Sequence, residues 1–190
     1  RYVEDELQYL LNDADVKAIV FEQQFGPLLA AIKQKLPTLK HYIAMEDGSG
    51  ASLAGLDCVD YGTVIAQQSD APLNIERSGD DLYVLYTGGT TGMPKGVVWR
   101  HEDVIMALGG GLDMTTGVPL ASAEIMADRC AQPNAFAMRS LQLAPLMHGA
   151  AQWGLLRALF EGGAVIFSDK KSFDADHVWQ LLSFKDYVLG

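Results

Sequence analysis

The chain has 190 residues, of which 24 are acidic and 14 are basic, so its formal net charge is −10. A hydrophobic content of 49% with 20% charged residues is typical of a globular chain and excludes a disordered one. The acidic balance argues against a nucleic-acid partner, because binding the phosphate backbone requires clustered Lys and Arg. No apolar run approaches about 18 residues, so we predict no transmembrane segment.

The two cysteines, Cys58 and Cys130, are far apart in the sequence and form no Cys-x-x-Cys pair. This spacing predicts neither a disulfide framework nor a zinc site, and it favours a reducing, cytoplasmic location. His101 also has no partner at the spacing of metal ligands, so we predict no metal-binding residue in this chain.

Apolar residues in the first half of the chain alternate between a helical period and short β-branched runs. We predict a helix over 3–11, a strand over 16–21, a helix over 25–36, a strand over 41–45 and a short helix within 57–68. Pro37 ends the second of these helices. The polar segment 69–79 is predicted to be a surface connection.

The second half continues the alternation. We predict strands over 82–86, 140–144 and 164–167, a short extended segment over 96–99, and helices over 102–108, 150–160 and 174–184. Residues 113–134 show no clear period and contain two prolines, so we predict a long loop there. Together the elements predict an α/β fold, a layered sheet with flanking helices, whose central sheet includes the strands over 16–21, 82–86 and 164–167.

A glycine-rich loop follows the strand over 82–86. The segment Thr87–Gly96 contains four glycines, three threonines and one lysine. Glycine lets backbone N–H groups approach an anion, threonine hydroxyls can donate to it or help to hold a hydrated Mg²⁺, and Lys95 adds a positive charge. This composition favours a polyphosphate ligand over an ordinary turn.

Two common phosphate-binding motifs do not fit this loop. A P-loop has Gly-Lys-Ser/Thr after four spacer residues, whereas Lys95 lies between Pro94 and Gly96. A dinucleotide fingerprint needs Gly-x-Gly-x-x-Gly, which the segment lacks.

The segment Tyr86–Val97 instead resembles the signature loop of the adenylate-forming enzymes, which include acyl-CoA synthetases, luciferases and peptide-synthetase adenylation domains. The usual form is Tyr-Thr-Ser-Gly-Ser/Thr-Thr-Gly-x-Pro-Lys-Gly-Val, and this chain has Gly88 where Ser is commonest. The segments 98–103 and 145–153 look most similar to actinobacterial fatty-acyl and steroid-side-chain CoA ligases.

The resemblance implies a reaction in which a carboxylic acid and Mg·ATP form an acyl-adenylate, and coenzyme A then takes the acyl group. ATP, Mg²⁺ and coenzyme A are the implied cofactors and co-substrates, and a small-molecule acid is the implied partner. By the same resemblance, the residues that embrace the β- and γ-phosphates are Thr87, Gly88, Gly89, Thr90, Thr91, Gly92 and Lys95.

His148 follows a predicted strand in the segment Pro145–Gly149. The resemblance places it near the reacting carboxylate, and a neutral imidazole could donate a hydrogen bond there. Trp153, Leu155, Leu156 and Leu159 have a helical spacing that could line an acyl tunnel but more often indicates core. Glu102 and Asp103 are predicted first-turn acids of a helix rather than catalytic groups.

Several parts that the resemblance calls for are missing from these 190 residues. They are a Tyr-Gly-x-Thr-Glu segment that holds Mg²⁺, an Asp for the ribose, and a mobile C-terminal domain with a catalytic lysine. We therefore predict that residues 1–190 are a fragment of the large N-terminal domain, with the phosphate loop at 86–97, and that this fragment alone is inactive. Two alternatives stay open: a non-catalytic nucleotide- or phosphate-binding module, and a different α/β phosphate binder such as a kinase-like NTPase, against which the missing Gly-Lys-Ser/Thr counts.

Overall fold

The computed structural model describes residues 2–87, 92–109, 111–113, 116–135, 137–170 and 172–183. The chain divides into two compact units. The first unit comprises Arg1–Ile75 and Tyr86–Gly96, and the second comprises Glu76–Leu85 and Val97–Gly190. Each contains helices and a parallel strand pair, so the predicted α/β class is confirmed. The described helices include none that is long and apolar enough to cross a membrane.

The first unit is built around a three-stranded parallel sheet. Its elements are α1 (Glu4–Asp13), β1 (Ala18–Glu22), α2 (Gly26–Ile32), β2 (His41–Met45), β3 (Cys58–Asp60) and α3 (Tyr61–Ala66). The strand order is β1-β2-β3, with Val20 paired to Ile43 and Ile43 paired to Val59. Short 3-10 turns over Gln23–Phe25 and Lys33–Lys35 flank α2.

Local sequence explains where these helices begin. The Glu6 carboxylate accepts a hydrogen bond from the Val3 N–H (3.1 Å), which satisfies a free donor at the start of α1. Pro27 stands in the first turn of α2, where its missing N–H is not needed. Asp60 caps α3, since one carboxylate oxygen accepts from both the N–H and the hydroxyl of Thr63 (2.7 and 2.8 Å).

The core of the first unit lies between its sheet and the helices α1 and α2. Leu29 and Ile32 of α2 are fully buried. The buried residues of this cluster are Leu11, Phe21, Leu29, Ile32, Leu36, Leu39, Tyr42, Ala44 and Leu56. Because α1 and α2 place their apolar stripes here, the predicted helical periods are explained by burial on one face.

Strands β4 (Leu82–Thr87) and β5 (Lys95–Arg100) form a two-stranded sheet. The remaining elements of the second unit are α4 (His101–Leu108), α5 (Ala123–Cys130), β6 (Arg139–Gln142), α6 (Gly149–Phe160), β7 (Ala164–Phe167) and α7 (Ala175–Ser183). Strands β6 and β7 are parallel and are connected through α6.

At two positions in the second unit, nearby backbone atoms leave no room for a Cβ, so the residue must be glycine. A Cβ on Gly163 would lie 1.9 Å from the Met138 carbonyl oxygen, at the start of the β6–β7 pair. A Cβ on Gly109 would lie 2.8 Å from the Ile105 carbonyl oxygen, at the end of α4. Only glycine fits such contacts without a shift of the surrounding atoms.

The prediction of one central sheet is wrong. The strands predicted over 16–21, 82–86 and 164–167 belong to three separate sheets, of three, two and two strands. Each parallel pair joined through a helix is formed by neighbours in sequence: β1 with β2, and β6 with β7. Alternating periods reveal such local crossovers, but they carry no information about pairing between strands that are far apart in sequence.

One further element prediction is corrected, and one strand was missed. Residues 113–134, predicted to be a loop, contain α5. The two prolines, Pro119 and Pro133, lie outside this helix and so do not oppose it. The short helix predicted within 57–68 is confirmed by α3, and β3 before it was not predicted, because three residues are too few to reveal a strand by alternation.

Candidate functional site

The glycine-rich loop joins β4 to β5. Strand β4 ends at Thr87 and β5 begins at Lys95, as the composition predicts for a loop that leaves a strand. The predicted phosphate contacts at residues 88–91, which are Gly88, Gly89, Thr90 and Thr91, lie outside the described residues. Their roles, like those of Thr87, Gly92 and Lys95, stay predictions.

The described ends of the loop are held together. The Thr87 hydroxyl donates to the Lys95 carbonyl oxygen (3.3 Å), which closes the neck of the loop. Gly92 has a φ of +118°, a conformation that L side chains rarely adopt, although a Cβ there would meet open space. The loop therefore needs glycine at this position for its backbone conformation.

Lys95 is exposed, and none of the ion pairs found among the described residues involves its ammonium group. Its charge is therefore not neutralised by a described carboxylate. An exposed ammonium at the end of a loop rich in backbone donors is suited to meet a phosphate group.

A tyrosine hydroxyl connects the start of the loop to the first helix. The Tyr86 hydroxyl donates to a carboxylate oxygen of Asp13 at 2.6 Å. Burial, followed by this hydrogen bond and the Asp13 charge, raises the pKa of Tyr86 to about 12. The phenol is therefore protonated and remains a hydrogen-bond donor at neutral pH.

Arg100, at the end of β5, is surrounded by acids. Its guanidinium pairs with Asp80 at 2.8 Å, Glu102 at 2.9 Å and Asp103 at 3.4 Å. The hydrogen bond to Asp80 and then the charges of these acids raise the pKa of Arg100. Glu102 and Asp103 lie in the first turn of α4, as predicted, and their pairing with Arg100 favours a structural role over an anion site.

His148 stands at the N-terminal end of α6. Its N–H donates to the Pro145 carbonyl (3.0 Å), and its own carbonyl accepts from Ala151 (3.1 Å). The residue is exposed in the second unit, whereas the loop ends lie in the first. The structure thus defines the backbone of His148, while its position near a reacting carboxylate stays a prediction.

The turn before His148 is connected to the body of the second unit by Gln152. The side-chain amide of Gln152 donates to the Leu146 carbonyl, and its oxygen accepts from the Tyr83 hydroxyl on β4. A Cβ on Gly149 would approach Leu85 of β4 to 2.9 Å, so glycine permits this close packing. Sequence spacing offered no signal for the Gln152 bridge.

The apolar stripe on α6 is not the core that the favoured prediction described. Trp153 is 38% exposed and Leu159 is 53% exposed, while the buried residues of the helix are Ala151 and Ala158. Small side chains bring α6 close to its neighbours, and Leu155 and Leu156 are half-buried. The core interpretation is therefore wrong for Trp153 and Leu159.

Trp153 contacts Trp99 edge to face, with ring centroids 6.2 Å apart. Trp99 also borders a cavity of about 550 Å³ in the second unit. The cavity wall is mostly apolar and is formed by residues that include Trp99, Met106, Leu108, Leu112, Pro119 and Arg157. Its volume is within the range of small-molecule sites.

Among the described residues, no group of three or more His, Cys, Asp or Glu side chains could hold a metal ion. Magnesium is commonly held by one or two carboxylates, water and the substrate's own phosphates, so a protein cage is not required for Mg·ATP. Cys58 and Cys130 are both free thiols.

Comparison with known proteins identifies the chain's relatives. Residues 1–185 match the AMP-binding enzyme family. The chain is 38% identical over 182 residues to 3-oxocholest-4-en-26-oate–CoA ligase of Rhodococcus rhodochrous, covering 96% of this chain and 32% of that protein. It is 44% identical over 168 residues to the medium-chain acyl-CoA ligase Mig of Mycobacterium avium, covering 88% of this chain and 30% of that protein.

Solved structures agree with this relationship. ATP-bound MatB from Rhodopseudomonas palustris is similar with a TM-score of 0.63 and 25% identity, over 96% of this chain and 31% of that one. The N-terminal domain of FACL13 from Mycobacterium tuberculosis is similar in fold, with a TM-score of 0.62 and 24% identity, over 96% of this chain and 39% of that one.

The chain spans about a third of the length of the curated relatives it matches. The predicted resemblance to actinobacterial fatty-acyl and steroid-side-chain CoA ligases is confirmed by those two relatives. Because the family match extends over nearly every residue and includes the glycine-rich loop between β4 and β5, this chain belongs to the AMP-binding enzyme family.

Proposed function

We propose that the chain is the phosphate-binding portion of a ligase that joins a carboxylic acid to coenzyme A through an acyl-adenylate. The observation that carries the proposal is the loop after β4, rich in Gly and Thr and ending at an exposed Lys95, in a chain that matches the AMP-binding family over residues 1–185. The predicted extent of the domain fragment, residues 1–190, is part of this proposal.

The reaction has two steps. A carboxylate oxygen attacks the α-phosphorus of ATP, and the bond to the β-phosphate breaks to release pyrophosphate. The thiolate of coenzyme A then attacks the acyl carbonyl, and AMP leaves. The first step builds negative charge on the departing pyrophosphate, so donors placed around it act mainly in the transition state.

The chain's own residues have defined tasks in this proposal. Backbone N–H groups of the loop and the Lys95 ammonium bind the β- and γ-phosphates, and Gly92 provides the backbone conformation that the loop needs. The hydroxyls of Thr90 and Thr91 would help to hold the Mg²⁺ that accompanies ATP, and this ion would supply positive charge to neutralise the phosphates. His148 donates a hydrogen bond to the carboxylate of the acid.

The acid that we propose is hydrophobic, a fatty acid or a steroid side-chain acid. Support comes from the two relatives, a 3-oxocholest-4-en-26-oate–CoA ligase and a medium-chain acyl-CoA ligase. A mostly apolar cavity beside Trp99 is consistent with an acid of this class. A cytoplasmic location, favoured by the two free cysteines, belongs to the same proposal.

The test is ATP–pyrophosphate exchange by the full-length protein that contains this chain, with medium-chain and steroid acids. Loss of one charged, preorganised donor costs about 3–4 kcal/mol, so Lys95→Ala should lower the exchange rate by about 10²–10³. Gly89→Val should do at least as much harm, because a Cβ would block the approach of the backbone to phosphate. Thr90→Ala should be milder, since Thr91 can partly replace its hydroxyl.

A matched control removes a lysine elsewhere. Lys170 is exposed on the connection between β7 and α7, so Lys170→Ala loses the same charge and should keep the parental rate. Circular dichroism excludes misfolding. If Lys95→Ala and Gly89→Val both fold and exchange at the parental rate, the assignment of ATP to the loop is wrong.

Acyl-hydroxamate formation separates the ligase from a non-catalytic nucleotide-binding module. Hydroxylamine traps an acyl-adenylate, so the full-length ligase should form hydroxamate with ATP and a suitable acid. A full-length protein that binds ATP but forms none with any acid would be the binding module instead. We expect residues 1–190 alone to show no exchange, and robust exchange by the purified chain would contradict that expectation.

A further inference from the structure

The contact between Tyr86 and Asp13 joins the loop to a helix that is far away in the sequence. Asp13 is the last residue of α1, and Tyr86 is the last residue but one of β4. Their 2.6 Å hydrogen bond spans 73 positions of the chain. Thr87, directly after Tyr86, is the first residue predicted to contact phosphate, so this bond lies at the entrance of the loop.

The helix that provides Asp13 is anchored in the core of the first unit. Leu11 is 4% exposed, and Leu7 and Leu10 pack against the same buried cluster. Asp13 therefore extends from a helix that is held in place by packing. An acceptor on such an element can orient a partner better than one on a free loop.

The hydrogen bond between Tyr86 and Asp13 is of a strong type. Its acceptor is a carboxylate, and bonds to charged groups are shorter and stronger than neutral ones. Tyr86 is partly buried, and its high pKa keeps the donor hydrogen in place at neutral pH. The hydroxyl of Thr87 donates to the Lys95 carbonyl at the next position, so consecutive residues fix the entrance and the neck of the loop.

We propose that Asp13 is a positioning residue for the phosphate loop, acting through the hydroxyl of Tyr86. The pair fixes the end of β4 against α1 and so sets the direction in which the loop leaves the strand. This inference rests on the proposed function, because ATP is the ligand that the loop would present. Neither residue is expected to touch the nucleotide.

The experiment measures pyrophosphate exchange by the full-length protein, well below the melting temperature of each variant. Tyr86→Phe keeps the ring and removes only the hydroxyl, while Asp13→Ala removes the acceptor. Each should raise the KM for ATP by about 3- to 10-fold, which is the effect expected from the loss of one typical hydrogen bond. The KM for the acid should stay unchanged. Calorimetry should show the same loss of ATP affinity without acid present.

Two further variants separate positioning from a loss of charge or of stability. Asp13→Asn keeps an acceptor oxygen and should retain most of the ATP affinity. Asp15→Asn removes a carboxylate two residues away, from an exposed pair with Lys17 (2.7 Å), and should behave as the parent. Asn tolerates the positive φ of 48° at this position. The double variant Tyr86→Phe/Asp13→Ala should lose no more affinity than either single variant.

Wild-type KM and affinity for ATP in Tyr86→Phe would overturn the inference, even if its melting temperature falls. An equal loss in Asp15→Asn would also overturn it. The failure of the proposed function has a different signature, since Lys95→Ala would then leave exchange unchanged as well. Should Asp13→Ala fail to fold, Tyr86→Phe decides the question, because it preserves the packing of the ring.

Discussion

The two units of the chain use the same β-α-β connection but bury different kinds of side chain. In the first unit, large residues such as Leu29 and Ile32 fill the space between the sheet and α2. In the second, the buried residues of α6 are alanines, while Phe167 on β7 and Trp179 on α7 are 54% and 67% exposed. The β-α-β connection of the first unit is therefore packed by large buried side chains and that of the second by small ones, while Leu85, Val104 and Met126 are buried elsewhere in the second unit.

The two units also differ in their relation to the family motif. The loop ends, from Tyr86 to Gly96, belong to the first unit, where α1 provides a firmly packed helix. Exposed apolar side chains occur in both units, among them Val20 and Ile65 in the first and Trp153 and Leu159 in the second. Substitutions can test whether the two units differ in the way that their packing indicates.

The largest expected effect is in the core of the first unit. Ile32 is 0% exposed, so Ile32→Ala should destabilise that unit by about 2–5 kcal/mol through lost burial and the remaining cavity. Leu159→Ala, at an exposed site, should stay within about 0.5 kcal/mol. All three tryptophans, Trp99, Trp153 and Trp179, lie in the second unit, so fluorescence follows that unit in urea while circular dichroism follows both.

Ile32→Ala should therefore shift the circular dichroism transition to lower urea and leave the fluorescence transition less affected. Coincident shifts of both signals would show that the two units unfold together. The two units would then differ in how their side chains pack but not in their stability. An unchanged circular dichroism transition would contradict the importance of the first core.

A smaller effect is expected where the second unit depends on a close approach. Gly163→Ala places a Cβ against the Met138 carbonyl, so backbone atoms must move, at a cost of about 1–3 kcal/mol. Gly154 provides the matched control within α6, because its added Cβ would make only ordinary contacts, the nearest at 3.4 Å. Gly154→Ala should stabilise by about 0.5–1 kcal/mol, since Ala is favoured over Gly inside a helix.

Tryptophan fluorescence in urea measures both glycine variants. Opposite shifts of the midpoint would support backbone approach as the limiting feature of the second unit. A stabilising shift in both variants would show that the added Cβ at Gly163 is accommodated without the expected backbone clash.

Sequence reasoning identified the features that depend on local composition. The glycine-rich loop, the strands on either side of it and the helices α1, α4, α6 and α7 follow from residue type and period. The residues Ser122, Glu124 and Arg129 gave a signal for α5 that the neighbouring prolines obscured: a capping residue, a first-turn acid and a last-turn base.

Features that depend on distant contacts could not be predicted. The division into three sheets is decided by strand pairing, which periodicity does not encode. The Tyr86–Asp13 bond and the Gln152 bridge join residues 73 and 69 positions apart. Only the folded chain shows that α1 and β4 meet at those side chains.

The smallest expected effect concerns the helix caps. Asp60 caps α3 in the first unit, and Asp174 accepts from the His177 N–H (3.1 Å) at the start of α7 in the second, whereas α4 follows Arg100 without a side-chain cap. The hydrogen bonds from the Thr63 N–H and then from its hydroxyl lower the pKa of Asp60. The cap is thus stronger when Asp60 is ionised.

The sign of the pH dependence follows from this lowered pKa. The cap contributes fully above the ordinary pKa of an unfolded Asp, and its contribution disappears as the pH falls through the lower value of the folded state. Asp60→Asn keeps a capping oxygen that does not titrate. Hydrogen exchange at the Thr63 amide should therefore accelerate on acidification more in the parent than in Asp60→Asn, after correction for intrinsic rates. Parallel profiles of exchange against pH for the two proteins would mean that the charge of the ionised carboxylate adds nothing to the cap. The advantage of the capped α3 over the uncapped α4 would then come from the geometry of the capping oxygen alone.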